Sequence, residues 1–166
     1  LPPKLVDKLS EEPFREELIA HFASAGNGLE GRCAISLMDL PANEIRSWAD
    51  CVRMPIDVRD FCEIFSDLRV LMSQHRDTSY QAVDVLNWFN RADVWRKPDR
   101  AQAILDLADK LEFPVSPLMN AMRNAQAINT AEIIASIAAE DRSNGELIGS
   151  AFESARLAAI TAALNS

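Results

Sequence analysis

The residues of this sequence best suited to chemistry are cations. In "FNRADVWRKPDR", residues 89–100, Arg91, Arg96, Lys97 and Arg100 gather around Trp95, although the chain carries 25 acidic against 17 basic residues. Thirteen of those 17 cations are arginine, whose planar guanidinium donates paired hydrogen bonds to phosphate or carboxylate. Two readings suit the cluster. It can hold phosphate, or it can be the solvated start of a helix whose cations pair with Asp93 and Asp99. Trp95 in turn can stack on a base or anchor a core, and Asp93 is placed to orient Arg96.

Groups for catalysis or metal binding are sparse. His21 and His75 are the two histidines, and no His-Asp dipeptide is present, too few ligands for a metal-dependent phosphohydrolase. His75, Arg76 and Asp77 imitate a kinase catalytic loop, but Ala82 stands where the metal-binding Asn belongs. The Asp-x-Asp element of two-metal nucleotidyl transfer does not occur, and Asp57 and Asp60 sit near a predicted helix start, where acids favour the helix dipole. The odd set Cys33, Cys51 and Cys62 has no CxxC pair and implies neither a disulfide framework nor a zinc site. Glycine spacing in "SAGNGLEGR", 24–32, matches neither the dinucleotide nor the phosphate-loop pattern, so the segment is expected to be a flexible loop. No catalytic, cofactor-binding or metal-ligating residue is assigned, and the chain alone is expected to be non-catalytic.

The elements that must position the cations are helices. A hydrophobic content of 48% with five glycines and 7% aromatics favours an all-α bundle of about 7–9 helices. Pro13, Pro41, Pro55, Pro98 and Pro117 can each open a helix, and the pairs Thr78/Gln81 and Asn129/Glu132 have capping-box spacing. Apolar stripes run through Val58, Phe61, Phe65, Leu68 and Met72, through Ala101, Ile104, Ala108 and Leu111, and through Ile148, Phe152, Ala155 and Ala159. "DRSNGE", 141–146, is expected to connect to the final helix. The domain reading is an N-terminal helical segment and loop over 1–27 and a helical body over 28–166, sharing one core.

The formal charge of -8 argues against non-specific nucleic-acid binding by the whole surface but leaves room for a local basic patch. No apolar run approaches the roughly 18 residues of a membrane span, and no signal peptide opens the chain, so a reduced, cytoplasmic setting without a membrane partner is expected. The first residue is Leu rather than Met, as in a piece of a longer chain.

Three segments together resemble the C-terminal half of bacterial CCA-adding enzymes, the tRNA nucleotidyltransferases. "RMPIDVRDFCEIF", 53–65, matches an Arg-x-Pro helix start with Arg-Asp following, through Arg53, Pro55, Arg59 and Asp60. Asp93, Trp95, Arg96, Pro98 and Arg100 match an Asp-x-Trp-Arg-x-Pro-x-Arg pattern, and Gly145, Ile148, Arg156 and Ile160 match the closing helix. The chain departs from relatives that carry a phosphohydrolase-type HD domain: Leu29 in "GLEGR" stands in a histidine's place, and "FSDL", 65–68, lacks a later one. The resemblance implies a helical body and tail that holds tRNA, with Arg96, Lys97, Arg100, Arg91 and Arg59 as RNA contacts. CTP, ATP and Mg2+ would belong to a separate N-terminal nucleotidyltransferase head, itself a partner, and a homodimer is compatible. The alternative is a degenerate HD-type helical module that binds protein and catalyses nothing.

Overall fold

The computed structural model describes residues 28–75, 79–139 and 144–165, together with residues 6, 16 and 20–23. Eight α-helices of seven or more residues follow one another: α1 (Leu29–Leu37), α2 (Ala42–Val52), α3 (Ile56–Gln74), α4 (Ala82–Ala92), α5 (Pro98–Lys110), α6 (Ser116–Gln126), α7 (Thr130–Ser136) and α8 (Gly145–Leu164). No strand occurs among the described residues, and the protein is an all-α bundle.

Helix α3 is the centre. Its residues Phe61 to Ser66 are buried without a break, which a helix shows only where neighbours cover it all round. Those neighbours are α1, α2, α4 and α5, while α8 packs on α6 and α4. The apolar stripe Val58, Phe61, Phe65 and Leu68 lies in the core as its spacing predicts, and so does the whole stripe Ala101, Ile104, Ala108 and Leu111. The last stripe is only half-buried; Ile160 and Ala163, nearer the chain end, are the core residues of α8. Phe22, in the short described piece before α1, also packs on this core. Burial of this apolar surface is the main stabilising term.

Prolines mark the helix starts for the expected reason. Pro41 and Pro55 immediately precede α2 and α3, Pro98 is the first residue of α5, and Pro117 lies in the first turn of α6, where a missing N–H costs nothing. Pro13 lies outside the described residues. Asn129 caps α7 by accepting from the Ala131 amide at 3.1 Å, and its side-chain amide donates to Glu132 at 2.8 Å.

Two expectations need correction, and a third lies partly outside the described residues. The segment 24–32 is not loop throughout: α1 begins at Leu29, and the burial of Ala34, Ile35 and Leu37 in the core offsets the weak helix propensity of Gly31. Of the Thr78/Gln81 pair, Thr78 lies outside the described residues, and Gln81 is the N-cap of α4. The 141–146 connector ends at Asn144, which caps α8 by accepting from the amides of Glu146 and Leu147. Counting uninterrupted apolar runs also understated α8, which by length and composition alone passes the test for crossing a membrane. In this fold its Ile160 is fully buried against other helices.

Tight left-handed residues end three helices without glycine. Arg53, Asp93 and Glu112 have φ of 54°, 57° and 60°. After each, an amide reaches back across the turn: Met54 to the Ala49 carbonyl, Val94 to Phe89, and Phe113 to Ala108. These bonds satisfy carbonyls that a helix end leaves open and fix where the next helix departs.

Candidate nucleic-acid interface

The Trp95 stretch is a turn built on Asp93. The Asp93 carbonyl accepts from the amides of Arg96 and Lys97 at 3.1 and 2.8 Å, and its carboxylate takes the Arg96 guanidinium at 3.0 and 2.9 Å. Hydrogen bonding from Arg96 holds the Asp93 carboxyl below its ordinary range, and the same bond raises the guanidinium's. Trp95 is half-buried, sets its ring edge to face on Phe89 at 6.2 Å, and donates its indole N–H to Asn90 at 2.7 Å. Arg96 thereby ends 82% exposed despite its carboxylate partner. Lys97 is exposed beside it, one residue before α5.

The five sequence-predicted cations separate into two groups. Arg96, Lys97 and Arg100 line one cleft of about 750 Å3 bounded by α1, α3 and α5. Arg100 is mostly covered: one terminal nitrogen donates to the Ala92 carbonyl at 2.8 Å and the other lies 3.9 Å from Asp60. Lys110 joins these cations, while Glu30, Asp57, Asp99 and Asp106 line the same cleft, so its charges balance at four against four. Arg96, paired with Asp93, and Lys97 form the outward edge of the cleft, beside the first turn of α5.

Arg91 and Arg59 do something else. Both turn toward Glu63, a carboxylate on α3 that is 1% exposed. Arg46 from α2 grips it with two hydrogen bonds, at 3.0 and 2.6 Å; Arg91 from α4 adds one at 2.8 Å, and Arg59, one turn earlier on α3, lies 3.6 Å away. Burial alone would raise the Glu63 carboxyl, but the bonds and charges of Arg46 and Arg91 outweigh it and hold the group below its ordinary range. Arg91 also pairs with Asp67 at 3.3 Å, and Asp67 shifts the other way, upward, because burial dominates there. The cluster ties three helices together and engages Arg59 and Arg91 with a buried carboxylate, although the Arg91 side chain stays 44% exposed.

Two roles were not seen in the sequence, that of Glu63 and the contact of Arg156 with Trp95. Glu63 carries no signal beyond its place inside a strongly apolar helix; only the covering of α3 on every side forces it to find partners. Arg156 had a signal, a cation four residues after Phe152 in a half-buried stripe. Its guanidinium lies 3.8 Å over the Trp95 ring, joining α8 to the cation-bearing turn. Among the described residues no three His, Cys, Asp or Glu side chains converge as a metal-binding group. His75 instead lies 3.1 Å from Asp84, and Arg76 and Asp77 lie outside the described residues.

Comparison with known proteins matches no family model and no solved structure. It does find the multifunctional CCA protein of Leptothrix cholodnii, 25% identical over 152 residues, a match covering 85% of this chain and 34% of that protein. The chain thus spans about a third of that relative's length. Over most of its own sequence, then, this chain is distantly similar to a multifunctional CCA protein.

Proposed function

We propose that this chain is the C-terminal, tRNA-holding helical region of a CCA-adding enzyme, working with a nucleotidyltransferase head that lies outside these 166 residues. The observation that carries the reading is the extent of the match: it takes in most of this chain but about a third of the relative, as a region of a larger protein would. The rigid turn at Asp93 supports it, since it holds Arg96 outward beside Lys97 at a helix start, where phosphate oxygens meet both side-chain and backbone donors. CTP, ATP and Mg2+ would be handled by the head. This region would supply grip and position, fixing the 3' end relative to the head while the bundle keeps its shape.

The test is tRNA binding by the chain at low and moderate salt, with Arg96→Ala plus Lys97→Ala as the comparison. Binding should weaken with salt at a log–log slope of about 0.9 or less per phosphate contact, and the double variant should lose about two contacts' worth of slope. Absence of tRNA binding under both conditions would sink the reading and leave a helical module that docks on protein.

A further inference from the structure

We propose that Arg156, stacked on Trp95, is a second phosphate seat, receiving a phosphodiester of the RNA backbone on the opposite side of the α5 start from Arg96 and Lys97. The inference rests on the tRNA-holding reading and deepens it by naming a further contact.

The guanidinium of Arg156 lies over the Trp95 face at 3.8 Å and 5.7 Å from the Phe152 ring centre. Among the described residues it makes no ion pair and no hydrogen bond. Glu153, one turn earlier on α8, influences it only from beyond ion-pair distance. The stack holds the guanidinium plane but satisfies none of its five N–H donors, because a ring face attracts the cation as a whole. Its nitrogens hold no protein acceptor and are not among the sealed ones, so they face solvent, from which a phosphate oxygen pair matching the fork can arrive. Burial also lowers the affinity of this guanidinium for its proton, the direction that an arriving anion would reverse.

The surroundings are shaped for such a visitor. Trp95 is held by Asn90, which accepts its indole N–H, and by Phe89, which supports the ring. A pocket of about 360 Å3 opens beside Arg156, with Gln126 and Thr130 as its other polar side chains. Pro98 lines both this pocket and the cleft of Arg96 and Lys97. Two cationic edges therefore flank one helix start, which suits a polymer with repeating phosphates better than an isolated carboxylate.

The experiment follows the Arg156 side-chain N–H and the Trp95 indole N–H by NMR while the chain is titrated with a short oligocytidylate, and in parallel with polyglutamate. tRNA affinity is measured over salt for the native chain, Arg156→Gln and Arg156→Lys, with circular dichroism as a folding check. The proposal expects oligocytidylate to move both signals. It also expects Arg156→Gln to weaken tRNA binding roughly three- to tenfold and to reduce the salt slope by about 0.7 to 0.9. Arg156→Lys, which keeps the charge but loses the fork, should fall between. Signals that stay still with oligocytidylate, while tRNA binds and depends on Arg96 and Lys97, overturn this seat and leave the tRNA-holding reading standing. Movement with oligocytidylate but no tRNA binding supports the seat and sinks that reading. Movement with polyglutamate alone overturns the seat in favour of an acidic protein partner.

Discussion

Glu63 and Arg156 are both charged groups drawn out of water, and the protein treats them in opposite ways. Around the first, Arg46 and Arg91 supply hydrogen bonds and Arg59 closes in, so that a carboxylate at the centre of the bundle has more positive charge than it needs. Around the second, an indole face is the principal contact and no carboxylate arrives. A buried charge with its partners in place is architecture. A half-covered charge whose donors are left open is a place where something else can complete the set. The same rule divides the arginines of the sequence: Arg59 and Arg91 are already engaged by Glu63, whereas Arg96, though paired, stays on the surface.

The largest effect should come from breaking the centre. Glu63→Gln leaves Arg46, Arg91 and the nearby Arg59 facing a neutral amide and is expected to cost about 3 kcal/mol of stability, less than a fully buried pair because the guanidinia keep some access to water. Urea denaturation measures it, and a loss under about 1 kcal/mol would show that the arginines re-solvate without harm. The same pair of proteins gives a pH test. Glu63 is held below its ordinary range, so its stabilisation is complete above the unfolded-state value of about 4.3 and drains away as pH falls through the lower folded value. The stability gap between native and Glu63→Gln proteins should accordingly close in acid. Asp67, which shifts upward chiefly through burial, contributes with the opposite sign, and its shift shrinks in the variant because the Glu63 charge is one of its causes.

A smaller effect is expected at the other region. Arg156→Met keeps a long side chain over Trp95 and removes a cation with no acceptor, so stability should change by less than about 1 kcal/mol and can rise. A loss as large as that of Glu63→Gln would break the comparison, since it would mean Arg156 is held as tightly as the central cluster. Smallest of all should be Arg96→Ala plus Lys97→Ala, which is expected to leave the melting temperature in place while altering RNA binding. A clear drop in melting temperature would instead make the Asp93–Arg96 pair part of the scaffold.

Much of the bundle was legible because helices announce themselves through spacing. The stripes at Val58–Leu68 and Ala101–Leu111 are core, and the prolines at 41, 55, 98 and 117 sit at helix starts, since both signals depend on residues close in sequence. Within the candidate site, the orienting role of Asp93 toward Arg96 was also local, three residues apart, and the structure shows it. What escaped was non-local. The ion pairs Arg46–Glu63 and Arg91–Glu63 join positions 17 and 28 residues apart, and no pattern in a single sequence couples them. Arg91 was therefore grouped with the other cations by its place just before them and Arg59 through the family resemblance, although an internal partner for Arg59 near Asp60 was also a reading of the sequence. The start of α1 was hidden for another reason: glycine weakens a helix but does not forbid it when the residues around it pack well.

Of the three residues held in the left-handed region, Arg53 and Glu112 are exposed and their side chains ask little of that geometry, so glycine there should ease the backbone at small loss. Asp93 is different, because one residue closes the end of α4 with its amide and, with its carbonyl and carboxylate, gathers Arg96 and Lys97 ahead of α5. It works as a coupling between a corner in the chain and the direction in which charge is displayed. A glycine at 93 would keep the corner and lose the aim, so the position can drift only among residues that perform both tasks.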